Sequence, residues 1–557
     1  MCICAAGAFG SASTTTLPEI RVDQIGYRAD AAKIAAVVSN AKSFAVHRLA
    51  DGAKVFDGQL SDPVFDALSG ETVALADFSA LTEEGTFELR AGEARSWPFR
   101  IAADPYPDLL RLTMRSFYGQ RCGTAVDLGG GYSHPACHVR GRFHGSTGRK
   151  GTDVPRGGWH DAGDYGRYVV NSGISVGTLL WAFEMFPESL GKLDLAIPES
   201  GDPVPDVLDE VRWNLEWMLR MQDEDGGAWA KETSERFPGF VAPEHDPTII
   251  YVIGGGGPPW KSSCATGELA AAAAIAARVY ERYDADLSAR AADAARRAWT
   301  WLDAHPNVTF RNPPGVESGS YGDANCLDER LWAAAEMWRS LRDRRAHAFF
   351  LARGDAAVRA IGTEDPQNWR EVGALAAWAY ALSEEGEASL RSAIVARTTA
   401  AADVIAKRAR GNAWRIPMVE ANYVWGSNGV AANYAMQLLV ADAIRPEPAY
   451  REAAAEIVHY LLGRNAVATS FVTGAGPHSV RHPHHRPSGA DDIDAPWSGL
   501  LAGGPDRQRR DPLLARLPPE TPPAKLYLDA QGSFASNEVA INWNAPLVFV
   551  LAGLQAE

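Results

Sequence analysis

At 557 residues, 46% of them apolar and 22% charged, the chain reads as an ordinary globular protein too long for one hydrophobic core, so two domains are expected. Its formal charge of −15 argues against a phosphate-binding surface, which would need Lys and Arg to dominate one face. The one basic run, Arg507 to Arg510, reads as a solvated loop, and no stretch of eighteen or more apolar residues exists to span a membrane. Nucleic acid and a membrane are therefore not expected partners, and a neutral polymer is the better ligand class.

Residues 1–16 are small and apolar but lack a basic start and a full apolar core, so they are either the remnant of a signal peptide or a tail. From Glu19 to Ala103, short alternating stretches rich in Val, Phe and Thr recur at 33–39, 44–49, 55–60, 72–75, 86–90 and 97–101. Asp51-Gly52 and Glu84-Gly85 punctuate them as turns, which predicts a small all-β sandwich of immunoglobulin type over residues 17–104. Asp104-Pro105-Tyr106-Pro107 ends the pattern, and the domain boundary is placed there.

From residue 105 to 557 the period becomes helical. Apolar residues at three- and four-residue spacing predict helices at 109–121, 172–185, 207–222, 267–283, 287–302, 331–341, 369–382, 390–407, 431–443, 449–462 and 539–554. The Ala run from Ala270 to Ala277 suits closely packed helices, because small side chains let backbones approach. With no heptad continuity and with long Pro- and Gly-rich connections at 134–158, 237–261, 472–504 and 506–526, the pattern points to a toroid of paired helices whose loops carry function.

Two acidic segments stand far apart in this region. Gly157-Gly158-Trp159-His160-Asp161-Ala162-Gly163-Asp164-Tyr165-Gly166 sets two carboxylates three residues apart, where one can accept a proton from a water while the other orients it. Alone, such a segment is as well read as a capped turn. Glu538 stands before an apolar stretch, near Phe534 and Trp543, which would desolvate it and raise its pKa as a general acid requires. Its bland reading is a glutamate complementing a helix dipole. Hydrolysis of a glycosidic bond with inversion needs such a pair, one protonated and one ionised, on opposite sides of a cleft.

Six cysteines, at 2, 4, 122, 137, 264 and 326, are too few and too scattered for a disulfide framework, so metal ligation or burial is expected. Cys122, Cys137 and His138 suit tetrahedral Zn²⁺; His160 is the first choice for a fourth ligand, with His144 and His134 as alternatives and a Cys122–Cys137 disulfide as the competing reading. Ser318 to Glu329 concentrates oxygen ligands before a helix, and Asp323, Asp328 and Glu329 are candidate Ca²⁺ ligands against simple helix capping by Asp328.

Tyr527, Asp529, Phe534, Glu538, Ala540, Asn544 and Ala545 fit every position of the carboxy-terminal signature of glycoside hydrolase family 9 (cellulase family E), which the chain resembles. Pro483-His484-His485-Arg486-Pro487-Ser488 resembles the family's second signature, and the Asp-Ala-Gly-Asp segment its third. Arg21-Val22-Asp23-Gln24-Ile25-Gly26-Tyr27 resembles the opening of the immunoglobulin-like module that precedes the catalytic domain in one branch.

The resemblance implies a mainly α chain whose (α/α)6 barrel follows a β-sandwich, and an inverting enzyme that cleaves β-1,4-glucans. It implies Asp164 as base, Asp161 as its partner on the water, Glu538 as acid, His484 and Arg486 at the substrate, and Trp425 as a stacking face. Tyr165 and Trp159 are cleft candidates by adjacency alone. Zinc at the cysteine cluster and calcium at Asp328-Glu329 are likewise implied, as are a secreted or periplasmic location and a monomeric state. As an inverting pair, Asp164 and Glu538 are expected roughly 6.5 to 9.5 Å apart. No cellulose-binding module is seen after the barrel, so soluble or short glucans are expected as the better substrates. The rivals are an exo-acting member, either a cellodextrin glucosidase or a glucosaminidase using Asp491, Asp492 or Asp494, and a non-catalytic β-glucan-binding protein.

Overall fold

The structure, a computed structural model, describes residues 17–152, 154 and 156–555. Residues 1–16, with Cys2 and Cys4, lie outside the described residues.

The first domain is a β-sandwich. One sheet runs in the order Ile20–Arg21, Ile34–Val37, Glu71–Asp77, Val64–Asp66; the other runs Gly26–Arg28, Phe99–Ala102, Gly85–Ala91, Ser43–Arg48, Lys54–Gln59, with Ala94–Arg95 paired to Gly85–Ala91. Alternation drives the packing: Phe87, Leu89 and Ala91 face inward while their neighbours face out, and they meet Val37, Val46, Ala76 and Phe99 in one core. All six strands read from the sequence form. The strands that periodicity missed, Ile20–Arg21, Gly26–Arg28, Val64–Asp66 and Ala94–Arg95, are too short to show a period.

The Arg21 to Tyr27 segment fastens this sandwich to the second domain. Arg21 makes a bidentate pair with Glu71 at 2.7 and 2.8 Å and donates to the carbonyls of Asn465 and Ala466. Asp23 accepts from His459 at 2.8 Å and from Tyr106 at 3.0 Å, and Gln24 bonds the backbone of Leu462 and Ala468. From the other side, Trp414 donates to Ser69 and Arg464 to the carbonyl of Ile34. Most of these polar groups are buried, and their hydrogen bonds join the two domains across the boundary.

The second domain is the (α/α)6 barrel. Its inner helices, Val169–Met185, Ser263–Val279, Leu327–Leu341, Gly373–Ala381, Ser427–Ile444 and Ile541–Gln555, are buried on nearly every side, and Ala270 to Ala277 lie in the wall between neighbours. Outer helices such as Ala285–Ala304 bury one stripe, here Leu287, Ala291, Ala294, Ala298 and Trp301. The ring closes where Ile541–Gln555 packs on Val169–Met185.

Three features depart from the sequence reading. The segments read as loops at 134–158 and 237–261 contain the strands Gly141–Phe143 and Ile250–Ile253, which join Lys231–Thr233 and Arg167–Tyr168 in a small mixed sheet. The helix expected from Trp369 begins only at Gly373, which leaves Trp369 free to line the cavity described below. Cys264 and Cys326, expected to ligate metal or to be simply buried, instead form a disulfide that ties the starts of two inner helices; a separation of 62 residues gives no local signal of the pairing.

Arg21→Ala removes the guanidinium that satisfies Glu71 and two barrel carbonyls. It should lower the unfolding free energy by about 3 kcal/mol, the scale of breaking a buried ion pair, measured by denaturant titration. A change under about 0.5 kcal/mol would show that the interface does not depend on it.

Candidate active site

The three segments singled out in the sequence meet edge to edge through their main chains. The Ile541 amide donates to the Asp161 carbonyl at 2.9 Å, the Arg486 amide to Gly163 at 3.1 Å, and the His484 amide to Asn537 at 2.8 Å. Gly163 explains the glycine of Asp-Ala-Gly-Asp: a Cβ there would lie 2.0 Å from the His484 carbonyl oxygen. Much of the carboxy-terminal signature is scaffolding for this seam. Asp529 accepts from the amides of Arg481 and His482 at 2.8 Å, Tyr527 donates to Asn537 at 2.6 Å, and Asn544 bonds Leu501, Gly499 and Ser116.

Above the seam opens a cavity of about 620 Å³. Asp161, Asp164 and Glu538 line it, with His484, Arg486 and Trp425 and the aromatic rings of Phe237, Tyr168, Tyr321, Trp369, Phe534 and Trp543. Aromatic faces beside carboxyls suit a sugar ring, whose axial C–H groups pack on π-systems while its hydroxyls need polar partners.

The three carboxyls have different surroundings. Asp161 accepts from Asn171 at 2.5 Å and from Tyr321 at 2.6 Å, so both of its oxygens are held. Burial, and then the like charge of Asp164, pushes Asp161 up to about 8 against those two donors. Asp164 accepts from the Gly166 amide at 2.6 Å; burial raises its pKa while the Arg486 guanidinium and that amide favour its anion. Glu538 sits ahead of the Ile541–Gln555 helix and accepts from the Trp425 indole at 3.1 Å. Burial, then the charges of Asp164 and Asp161, holds Glu538 well above the ordinary carboxylate range. Three carboxyls in one desolvated cavity cannot all ionise together. Arg486 favours charge on Asp164, while burial and the two acidic neighbours disfavour it on Glu538.

Tyr321, Asn171 and Lys231 escaped the sequence reading. Tyr321 lies inside the loop taken as a calcium candidate, and its hydroxyl serves Asp161 instead. Lys231 is fully buried and holds that loop through Asn312, Ser318 and the Gly319 carbonyl, the last at 2.6 Å. No local motif marks a tyrosine or lysine for such work, because the partners come from other turns of the barrel.

Tyr165 requires correction. It does not line the cavity; its ring packs 4.9 Å from His138 and 5.0 Å from His160, and its hydroxyl donates to the Val241 carbonyl at 2.5 Å. Trp159 is core, with its indole donating to Glu210.

Cys122, Cys137, His138 and His160 place their ligand atoms within 4.8 Å of one another. Both thiols are free and buried, which removes the competing disulfide. The Nδ1 of His138 is buried without a hydrogen-bond partner while its Nε2 meets Asp246 at 3.1 Å, the arrangement of an imidazole prepared for a metal. His134 and His144 stay outside the group. This donor set fits a structural metal.

At the calcium candidate, Asp323 turns back to the Asn325 amide and does not join Asp328 and Glu329 within the same 4.8 Å, so it is not a shared ligand. Asp328 accepts from the Val372 amide at 2.8 Å. Glu329 is fully buried with both oxygens unpartnered, as are those of Glu268 on the neighbouring helix.

Comparison with known proteins places this geometry. Residues 106–551 match the model of glycosyl hydrolase family 9, and residues 15–96 that of the cellulase N-terminal ig-like domain. The chain is 36% identical over 546 residues to endoglucanase D of Acetivibrio thermocellus, covering 96% of this chain and 83% of that protein. It is 34% identical to a cellodextrinase of Butyrivibrio fibrisolvens, covering 97% of this chain and all of the other. A crystal structure of a Zn-binding triple mutant of the family 9 endoglucanase J30 superposes with a TM-score of 0.89 at 36% identity, over 95% of this chain and 99% of that one. Matched over both domains and 36% identical to such an enzyme over 96% of its own length, the chain belongs to glycoside hydrolase family 9.

Proposed function

We propose that the chain hydrolyses internal β-1,4-glucosidic bonds of glucans with inversion. Asp164 acts as base on the water that Asp161 orients, and Glu538 acts as acid on the leaving oxygen. The observation that carries this is that one aromatic-lined cavity holds both Glu538, whose pKa burial raises, and Asp164, beside which the Arg486 guanidinium favours the anion. His484 and Arg486 border the reacting bond, and Trp425 both stacks on sugar and orients Glu538.

The lining supports a neutral sugar. Apart from the three catalytic carboxyls, its charged residues are Arg370, Arg486 and Arg510. Asp491, Asp492 and Asp494, which a glucosaminidase would need near its ammonium, are not among them; Asp491 accepts from Trp497, and Asp494 pairs with Arg481. Phe237 and Arg510 bring segments 237–261 and 504–526 to the cavity wall, which keeps a chain-end-acting cellodextrinase as the second reading. Viscosity loss on a soluble β-glucan that outruns the release of reducing ends supports internal cleavage; release of monomer alone from the start refutes it.

We assign Zn²⁺ to Cys122, Cys137, His138 and His160, and a Ca²⁺ role to Asp328 and Glu329. The Cys264–Cys326 disulfide favours an oxidising compartment, in keeping with a secreted or periplasmic location.

Glu538→Gln and Asp164→Asn should each lower kcat at least about 10²-fold in a reducing-sugar assay, the contribution of acid–base catalysis. Wild type no faster than both variants on every β-glucan would mean that the cavity only binds.

Folded Glu538 holds a proton that the unfolded chain releases near the ordinary value of 4.5. Its contribution to stability is therefore full below that pH and is lost as pH rises toward the folded value. Glu538→Gln removes this titration, so its Tm should match wild type at about pH 4 and exceed it increasingly toward about pH 8. A constant difference across that range would contradict the raised pKa.

A further inference from the structure

The metal cluster and the cavity share one piece of chain. Segment 237–246 begins at Phe237, which lines the cavity and is 44% exposed, and ends at Asp246, whose side chain is fully buried against His138. At the cavity end, Arg486 donates to the Pro238 carbonyl at 3.1 Å and lies 5.6 and 5.3 Å from the rings of Phe237 and Phe240. Phe240 meets His484 edge to face at 5.0 Å. At the cluster end, Tyr165 donates to the Val241 carbonyl at 2.5 Å while packing on both cluster imidazoles, and Asp246 meets His138 Nε2 at 3.1 Å. Between these anchors the segment pairs with no strand among the described residues; a single turn at Pro243–His245 is its only regular structure.

We propose that this cluster sets the wall of the substrate cleft, with Asp246 and Tyr165 as the positioning residues that transmit its state to Phe237. The inference rests on the cleft and the zinc assignment of the preceding section. An ion on His138 Nδ1 fixes the tautomer that carries the proton on Nε2, so Nε2 donates to Asp246 and holds the far end of the segment. The same ion locks the His138 and His160 rings against which Tyr165 packs, and the Tyr165 hydroxyl then holds Val241, midway along. Without the ion, His138 is free to change tautomer or rotate, both anchors loosen together, and the Phe237 wall loses its definition while Asp161, Asp164 and Glu538 stay in place on the main-chain seam. The coupling therefore belongs to substrate binding, not to the chemical step.

The experiment compares Zn²⁺-loaded wild type, chelator-treated wild type, Asp246→Ala and Tyr165→Phe. Zinc content, kcat and KM on a soluble cello-oligosaccharide, and amide hydrogen exchange across 239–246 are measured on each. Tyr165→Phe keeps every zinc ligand and guards against misfolding of Asp246→Ala. The expected result is full zinc content in Tyr165→Phe with KM raised about tenfold and kcat within about twofold, the scale of one lost hydrogen bond in a buried site. Asp246→Ala and the chelated protein should show the same KM change with faster exchange in 239–246. Unchanged KM in Tyr165→Phe and Asp246→Ala, unchanged exchange after chelation, or no uptake of Zn²⁺ by wild type would each overturn the proposal. Should wild type cleave no β-glucan, the functional reading fails on its own, and the exchange comparison still decides the coupling.

Discussion

The structure depends on a main-chain seam. Asp161 to Gly163, His484 to Arg486 and Asn537 to Ile541 come from three distant parts of the barrel and bond to one another through backbone amides and carbonyls. Glu538 lies within the third strip and Asp164 directly follows the first, so the backbone seam fixes where the two proposed catalytic side chains start. The middle strip supplies His484 and Arg486 between them. The absence of a Cβ at Gly163 lets the first two strips touch. A rigid site of this kind suits a reaction in which a water must be held at a set distance between two carboxyls.

Desolvation then assigns the roles. The cavity walls are indole, phenol and phenyl rings, which deny each carboxyl its hydration and force the three to compete for one or two negative charges. Arg486 breaks the tie in favour of Asp164. Tyr321 and Asn171 hold Asp161 in place without freeing it, since both of its oxygens are occupied. Glu538 is left with one indole donor against burial and two acidic neighbours, which hold its pKa well above that of an ordinary glutamate.

The fold was legible wherever a period ran long enough. The alternation of Phe87, Leu89 and Ala91 and the stripe of Leu287, Ala291, Ala294 and Ala298 are visible in the sequence because each side chain answers to one flat partner. Two- and three-residue strands such as Gly141–Phe143 carry no period and are defined by partners elsewhere in the chain. Within the site, the carboxyls, His484, Arg486 and Trp425 were legible through their motifs. Tyr321 and Lys231 were not, because their roles arise from a loop folding over the barrel mouth. Tyr165 misled through adjacency: one residue beyond Asp164 the chain has already turned toward the metal cluster. The Arg21 to Tyr27 segment, which marked the sandwich, proves to be the clamp between the two domains.

The central claim is that Asp164 activates the attacking water while Glu538 protonates the leaving oxygen across the scissile bond, with no covalent intermediate. The anomeric configuration of the first product tests it most directly, followed by proton NMR on a cello-oligosaccharide before mutarotation equilibrates the sugar. The account predicts that the α-anomer of the new reducing end appears first. First appearance of the β-anomer would mean retention and a carboxylate nucleophile, and would contradict the assignment of Asp164 as a base.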